Sequence, residues 1–118
     1  MKVAIAVQND SVCPRLDRAQ QLIVIETHGP REQHRTRLDI RTWPAHGRAE
    51  RLARLGVDAV VCGGVCGFDE AGFDASTTRL ISGVAGPIEA VIEALSSGTI
   101  EPNHDYWRQE PEKSPREP

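Results

Sequence analysis

Aromatic side chains are scarce in this chain, with two Trp, one Tyr and two Phe among 118 residues, so its core must be built from Val, Ile, Leu and Ala. Positive charge is not in excess either. Fourteen Lys and Arg stand against seventeen Asp and Glu, for a formal charge of −3 and a pI near 5.8. That argues against a nucleic-acid partner, because phosphate-backbone affinity rests on clustered cations. Long apolar runs are missing. Val3 to Val7 supplies only five consecutive apolar residues before Gln8, far short of a signal-peptide core or a membrane span. A cytoplasmic protein with no membrane partner is expected. Cysteine is limited to Cys13, Cys62 and Cys66. An odd number with no export signal speaks against a disulfide framework and for metal binding or thiol chemistry.

The length suits one domain with one site. Val3 to Val7 is a continuous apolar run, as in a strand buried on both faces, ended by the turn formers Gln8 to Ser11. Leu22 to Ile25 repeats the pattern and stops at Gly29-Pro30, a turn into a third strand over Arg35 to Trp43. There Leu38 and Ile40 alternate with Arg37, Asp39 and Arg41, as on a half-exposed edge. A helix is predicted over Ala45 to Leu55 with Gly56 as its C-terminal cap. A fourth strand over Val57 to Cys62 runs directly into Gly63-Gly64-Val65-Cys66-Gly67. Asp69 to Ala75 reads as a short helix weakened by Gly72, and Arg79 to Val84 as a fifth strand. Pro87 opens a last helix whose Ile88, Val91, Ile92 and Leu95 form an apolar stripe up to Gly98. Residues 1–100 are therefore the α/β domain. Residues 101–118, with four prolines, many charges and no periodicity, read as a flexible tail in which Tyr106 and Trp107 are the only adhesive side chains.

Three strands in a meander followed by crossover units match a ribonuclease-H-like motif, a mixed five-stranded sheet of order 3-2-1-4-5 with helices on both faces. In such a sheet ligands bind beyond the carboxyl ends of the strands, where neighbouring connections diverge. Cys13 leaves strand one and Cys62 ends strand four, and adjacent strands lie about 4.8 Å apart. Cys66 follows in the glycine loop, so three thiols can converge as soft ligands, with Gly63, Gly64 and Gly67 letting backbone amides approach a cluster. Each cysteine also has a purely structural reading as a small buried hydrophobe. That reading is strongest for Cys62 and weakest for Cys66 and for Cys13, which Pro14 and the polar turn place outside the sheet. His28 and His34 bracket the far hairpin, His46 lies about 10 Å off by strand spacing, and His104 is in the tail. Arg15, Asp17 and Arg18 are expected to orient the first loop or meet an anionic cargo, with exposed charge of no further role as an equal reading. A nuclease is disfavoured, because strand one carries no carboxylate for a two-metal site.

Several local patterns resemble one family. Met1 to Val7, then Val12-Cys13-Pro14-Arg15-Leu16-Asp17-Arg18-Ala19, then Leu55-Gly56-Val57-Asp58-Ala59-Val60-Val61-Cys62-Gly63-Gly64, and finally Gly83-Val84-Ala85-Gly86 occur in the order seen in the dinitrogenase iron-molybdenum cofactor biosynthesis family, the NifX- and NafY-type domains. The resemblance covers about residues 1–100. This chain departs from it in having Cys13 where a serine is usual before the proline, in adding Cys66 past Cys-Gly-Gly, and in its tail. The resemblance implies a non-enzymatic carrier of an iron-sulfur or molybdenum-iron-sulfur cluster, or of a single soft metal ion such as zinc or copper. Its partner would be a cofactor-assembly or cluster-recipient protein, and a homodimer would complete an open ligand shell. The rival readings are a thiol-redox protein cycling Cys62 and Cys66, and a non-catalytic adaptor whose tail recruits a partner.

Overall fold

Alternation along the first strand decides how the domain is layered. In β1 (Lys2–Gln8) the odd residues Val3, Ile5 and Val7 face one apolar layer, and the even residues Ala4 and Ala6 face another. Both layers are buried, so the strand is apolar throughout. In the computed structural model, residues 1–27, 33–44, 47–65, 67–74 and 77–108 are described. The elements that follow are β2 (Ser11–Val12), a 3-10 turn at Leu16–Arg18, β3 (Gln21–Thr27), β4 (Gln33–Asp39), α1 (Arg48–Arg54), β5 (Ala59–Val61), α2 (Gly67–Asp74), β6 (Arg79–Ile81), α3 (Ile88–Ser97) and a 3-10 turn at Tyr106–Arg108.

The result is a mixed α/β domain with a mixed six-stranded sheet, in which β4-β3-β1-β5-β6 lie in that order and β2 also pairs with β1. β1 runs antiparallel to β3, with Ile5 opposite Ile23, and parallel to β5, with Ile5 opposite Val61. α3 covers the layer of Val3, Ile5 and Val61 with its buried Ile88, Val91, Ile92 and Ala94. Each large aliphatic side chain buried this way stabilises the fold by about 1.5–3 kcal/mol. Leu52 of α1 and Phe73 of α2 join the opposite layer with Ala4, Ala6 and Val60. Gly98 ends α3 in the left-handed region at φ 76°, where a residue without Cβ is favoured. No helix among the described residues is long and apolar enough to cross a membrane.

Four expectations need correcting. The turn after β1 is a hairpin that returns as a sixth strand, β2, too short for a hydrophobic period to reveal. The third strand ends at Asp39 and not at Trp43, because Trp43 N–H turns back to the Ile40 carbonyl at 3.0 Å. α2 starts at Gly67 and not at Asp69, and the expected end at Ala75 lies outside the described residues. Over residues 101–108 the segment read as a flexible tail is a strap on the body. Asn103 N–H donates to Ser82, Ala85 N–H to His104, and Tyr106 N–H to Ala85 at 2.7 Å. Tyr106 is 2% exposed, and its hydroxyl accepts the Glu101 amide at 2.9 Å. Its Cβ occupies the space beside Gly86, where a Cβ built on the glycine would lie 2.7 Å away. Residues 109–118 lie outside the described residues.

Candidate functional site

The loop leaving β2 and the loop leaving β5 are stitched into one edge. Gly63 N–H donates to the Cys13 carbonyl at 3.1 Å, Gly64 N–H to the Pro14 carbonyl at 2.6 Å, and Leu16 N–H to the Gly64 carbonyl at 2.9 Å. A Cβ on Gly63 would collide with the Pro14 carbonyl oxygen and come within 2.7 Å of that of Cys13, so close backbone approach explains the glycine. The expectation that Gly63 and Gly64 present free amides to a cluster is therefore corrected, since both N–H groups are spent on the neighbouring loop. Gly67 opens α2 and is exposed.

Cys13 and Cys62 come to the same core layer, beside the small Ala6. Cys62 is fully buried, with its N–H on the Ile81 carbonyl and its carbonyl accepting Val84 N–H, each at 3.1 Å. Cys13 is not outside the sheet as expected. Its N–H continues the pairing of β2 by donating to Ala6 at 2.8 Å, which turns the side chain inward to 2% exposure. Its thiol lies 3.2 Å from the Arg15 carbonyl and 3.6 Å from Gln8 Oε1. Cys66 lies outside the described residues. Among the described residues no group of three His, Cys, Asp or Glu side chains is placed to hold a metal ion.

Cys13, although buried, lines a cleft of about 740 Å³ walled by Gln8, Asn9, Asp10, Arg18, Gln20, Gln21 and Arg37. Its volume falls in the range of small-ligand sites, about 300–1,000 Å³, but its walls are polar. It lies at the carboxyl end of β1, where β3 begins. Two guanidinium groups against one carboxylate give the lining a positive balance. Arg37 is held by a 2.7 Å hydrogen bond from Nη1 to Gln21 Oε1. On the first loop Arg15, not Arg18, grips the Asp17 carboxylate, at 2.9 and 3.2 Å. That hydrogen bond holds the Asp17 carboxyl below its usual value, with a smaller contribution from the Arg18 charge.

Arg37, Gln20 and Gln21 were missed as site residues. The available signal was the alternation of β4, which put Arg37 on a polar face; the register that sets Gln21 beside Asp39 is fixed only in the folded sheet. Of the histidines, His34 sits opposite Glu26 near the far end of β3, and His104 packs on Tyr106 with ring centroids 4.4 Å apart. Neither reaches the cleft, and His28 and His46 lie outside the described residues.

The mixed α/β sheet ends, at its central strand, in a polar cleft lined by two arginines. The family follows from sequence: a profile described as dinitrogenase iron-molybdenum cofactor matches residues 1–98. The chain belongs to that family. Solved structures share its fold. PH0822 is 19% identical with a TM-score of 0.78, covering 92% of this chain and 99% of its own. The apo form of the orange protein from Desulfovibrio gigas is 18% identical with a TM-score of 0.70, covering 84% and 89%. TM1290 from Thermotoga, proposed to be a NifB protein, is 23% identical with a TM-score of 0.66, covering 86% and 91%. At these identities the likeness is one of fold. No curated protein matches the chain.

Proposed function

We propose that this domain is a non-enzymatic carrier in metallocofactor assembly that docks an anionic metal–sulfur cluster, of iron-sulfur or molybdenum-iron-sulfur type, in the cleft beside Cys13. One observation carries the reading: the buried Cys13 backs a polar cleft of about 740 Å³ whose walls hold Arg18 and Arg37. Thiolate sulfur is a soft ligand suited to such clusters, and guanidinium groups neutralise bound anions through charge-assisted hydrogen bonds. Family membership supports a cofactor-related cargo. The strand order β4-β3-β1-β5-β6 is read as a ribonuclease-H-like motif used for binding. A cleft open at the sheet edge suits hand-over to a recipient protein.

The test is anaerobic reconstitution with iron and sulfide, with bound metal and sulfide measured by absorption and elemental analysis. Loading near one cluster per chain is expected for the wild type, a reduced level for Cys13→Ala and for the Arg18→Ala/Arg37→Ala pair, and wild-type loading per folded molecule for Cys62→Ala. Cys66→Ala decides whether a second thiol joins. Retention of no metal by the folded wild type, with thiols that instead oxidise reversibly, would replace this reading with thiol-redox chemistry.

A further inference from the structure

Arg48, the first residue of α1, is only 5% exposed. Its guanidinium donates to five carbonyls from separate parts of the chain. Nη1 reaches Leu16 at 2.8 Å and Ala19 at 2.7 Å. Nε reaches Pro44 at 3.2 Å, and Nη2 reaches Ile40 at 3.3 Å and Trp43 at 3.4 Å. A planar, permanently charged fork is the only side chain that can serve so many acceptors at once. Leu16 and Ala19 bracket the 3-10 turn Leu16–Arg18, and that turn carries Arg18 to the cleft wall. The turn's other anchors are the Leu16 N–H bond to Gly64 and the Ile40 N–H bond to Gln20, each 2.9 Å. Buried hydrogen bonds to a charged donor are each stronger than neutral ones, so the arginine adds a strong polar anchor to a turn whose Leu16 and Ala19 are also held in the core.

We propose that Arg48 is a positioning residue of the cleft: by gripping the Leu16 and Ala19 carbonyls it aims Arg18 at the mouth and thereby sets the positive potential felt by the Cys13 thiol. This rests on the cleft being the binding site, but its test needs no cluster.

The full-length protein is alkylated in parallel with iodoacetate, an anion, and iodoacetamide, its neutral counterpart. In each reaction the thiolate displaces iodide, and the rate at Cys13 is followed by peptide mass spectrometry. The ratio of the two rates reads the local potential, while the rate at Cys62, buried and away from the cleft, reads general loosening. Arg18→Ala is expected to lower the Cys13 ratio about threefold, the order of effect of removing one unit charge from the wall of a water-filled cleft. Arg48→Met is expected to lower it to the same level, with no further fall when combined with Arg18→Ala. Arg48→Lys should keep the ratio within about twofold of wild type, because one nitrogen already serves both Leu16 and Ala19 and an ammonium has three donors. Arg48→Gln takes the place of the methionine variant if that one does not fold. A ratio unchanged in a folded Arg48 variant, with both reagents faster at Cys13 and Cys62 alike, would overturn the proposal by showing a purely structural role. Failure of the wild type to load a cluster would remove the carrier function and leave this outcome unaffected.

Discussion

Tyr106 anchors the strap, and its removal tests whether residues 101–108 belong to the folded body. The side chain is 2% exposed, joins the apolar layer of Ile88 and Val84, and accepts a hydrogen bond from the Glu101 amide. Truncating a buried aromatic residue to alanine costs about 3–5 kcal/mol, and the lost hydrogen bond adds about 1 kcal/mol. Tyr106→Ala should therefore destabilise the domain by about 4–6 kcal/mol. For a chain of this length that corresponds to a fall of roughly 15–25 °C in Tm, and it is a large share of a typical stability of about 5–15 kcal/mol. Tyr106→Phe keeps the ring and loses only the acceptor, so about 1 kcal/mol is expected. Urea unfolding followed by far-UV circular dichroism measures both. A Tyr106→Ala unfolding free energy within about 0.5 kcal/mol of wild type would refute the packing of the strap against Gly86 and α3.

Three further outcomes follow from the structure. Gly63→Ala places a methyl group against the Pro14 carbonyl and should cost about 1–3 kcal/mol as overpacking, read from the same unfolding curves; a neutral result would contradict the stitched loops. Arg35 binds Glu89 through two hydrogen bonds at 2.8 and 3.0 Å, linking β4 to α3, and that hydrogen bond holds the Glu89 carboxyl below its usual value. A depressed folded value means the pair's contribution is present above the unfolded carboxyl's pKa and is lost as pH falls through the folded one. Both side chains are largely exposed, so the contribution is at most about 0.5 kcal/mol. Glu89→Gln should shift stability near pH 7 by no more than that and not at all at the acid end, and a larger shift there would show the sign to be wrong. Removing the Arg37 side chain deletes a charge-assisted contact to an anionic cargo, worth about 1.5–3 kcal/mol, so Arg37→Ala should weaken cluster retention about 10- to 100-fold in a competition assay with a chelator.

Strands buried on both faces were legible in the sequence because their apolar runs are continuous, as in Val3 to Val7. The stripe of Ile88, Val91 and Ile92 likewise announced α3, and Gly98 its end. The site was only half legible. Cys13 reads locally as a loop residue because Pro14 and charged neighbours follow it, yet its burial is decided by pairing with Ala6, a contact set by a two-residue strand. Cys62 belongs to a strand end and is buried as its apolar neighbours imply. Arg48 carries no local sign of burial, since its five acceptors come from residues 16 to 44 and meet only in the folded chain. Tyr106 sits in a segment without periodicity, and what orders it is the missing side chain of Gly86. In the cleft, Arg18 belonged to a recognisable loop, whereas Arg37 arrives from a different strand through the β3–β4 register.

The proposed seat of the cargo beside Cys13 is tested by a crystal of the iron- and sulfide-loaded protein with anomalous diffraction recorded on both sides of the iron edge. A compact anomalous peak is expected within the cleft, at the Cys13 thiol and between Arg18 and Arg37. A peak elsewhere on the surface, or loaded iron with no density in that cleft, would contradict it.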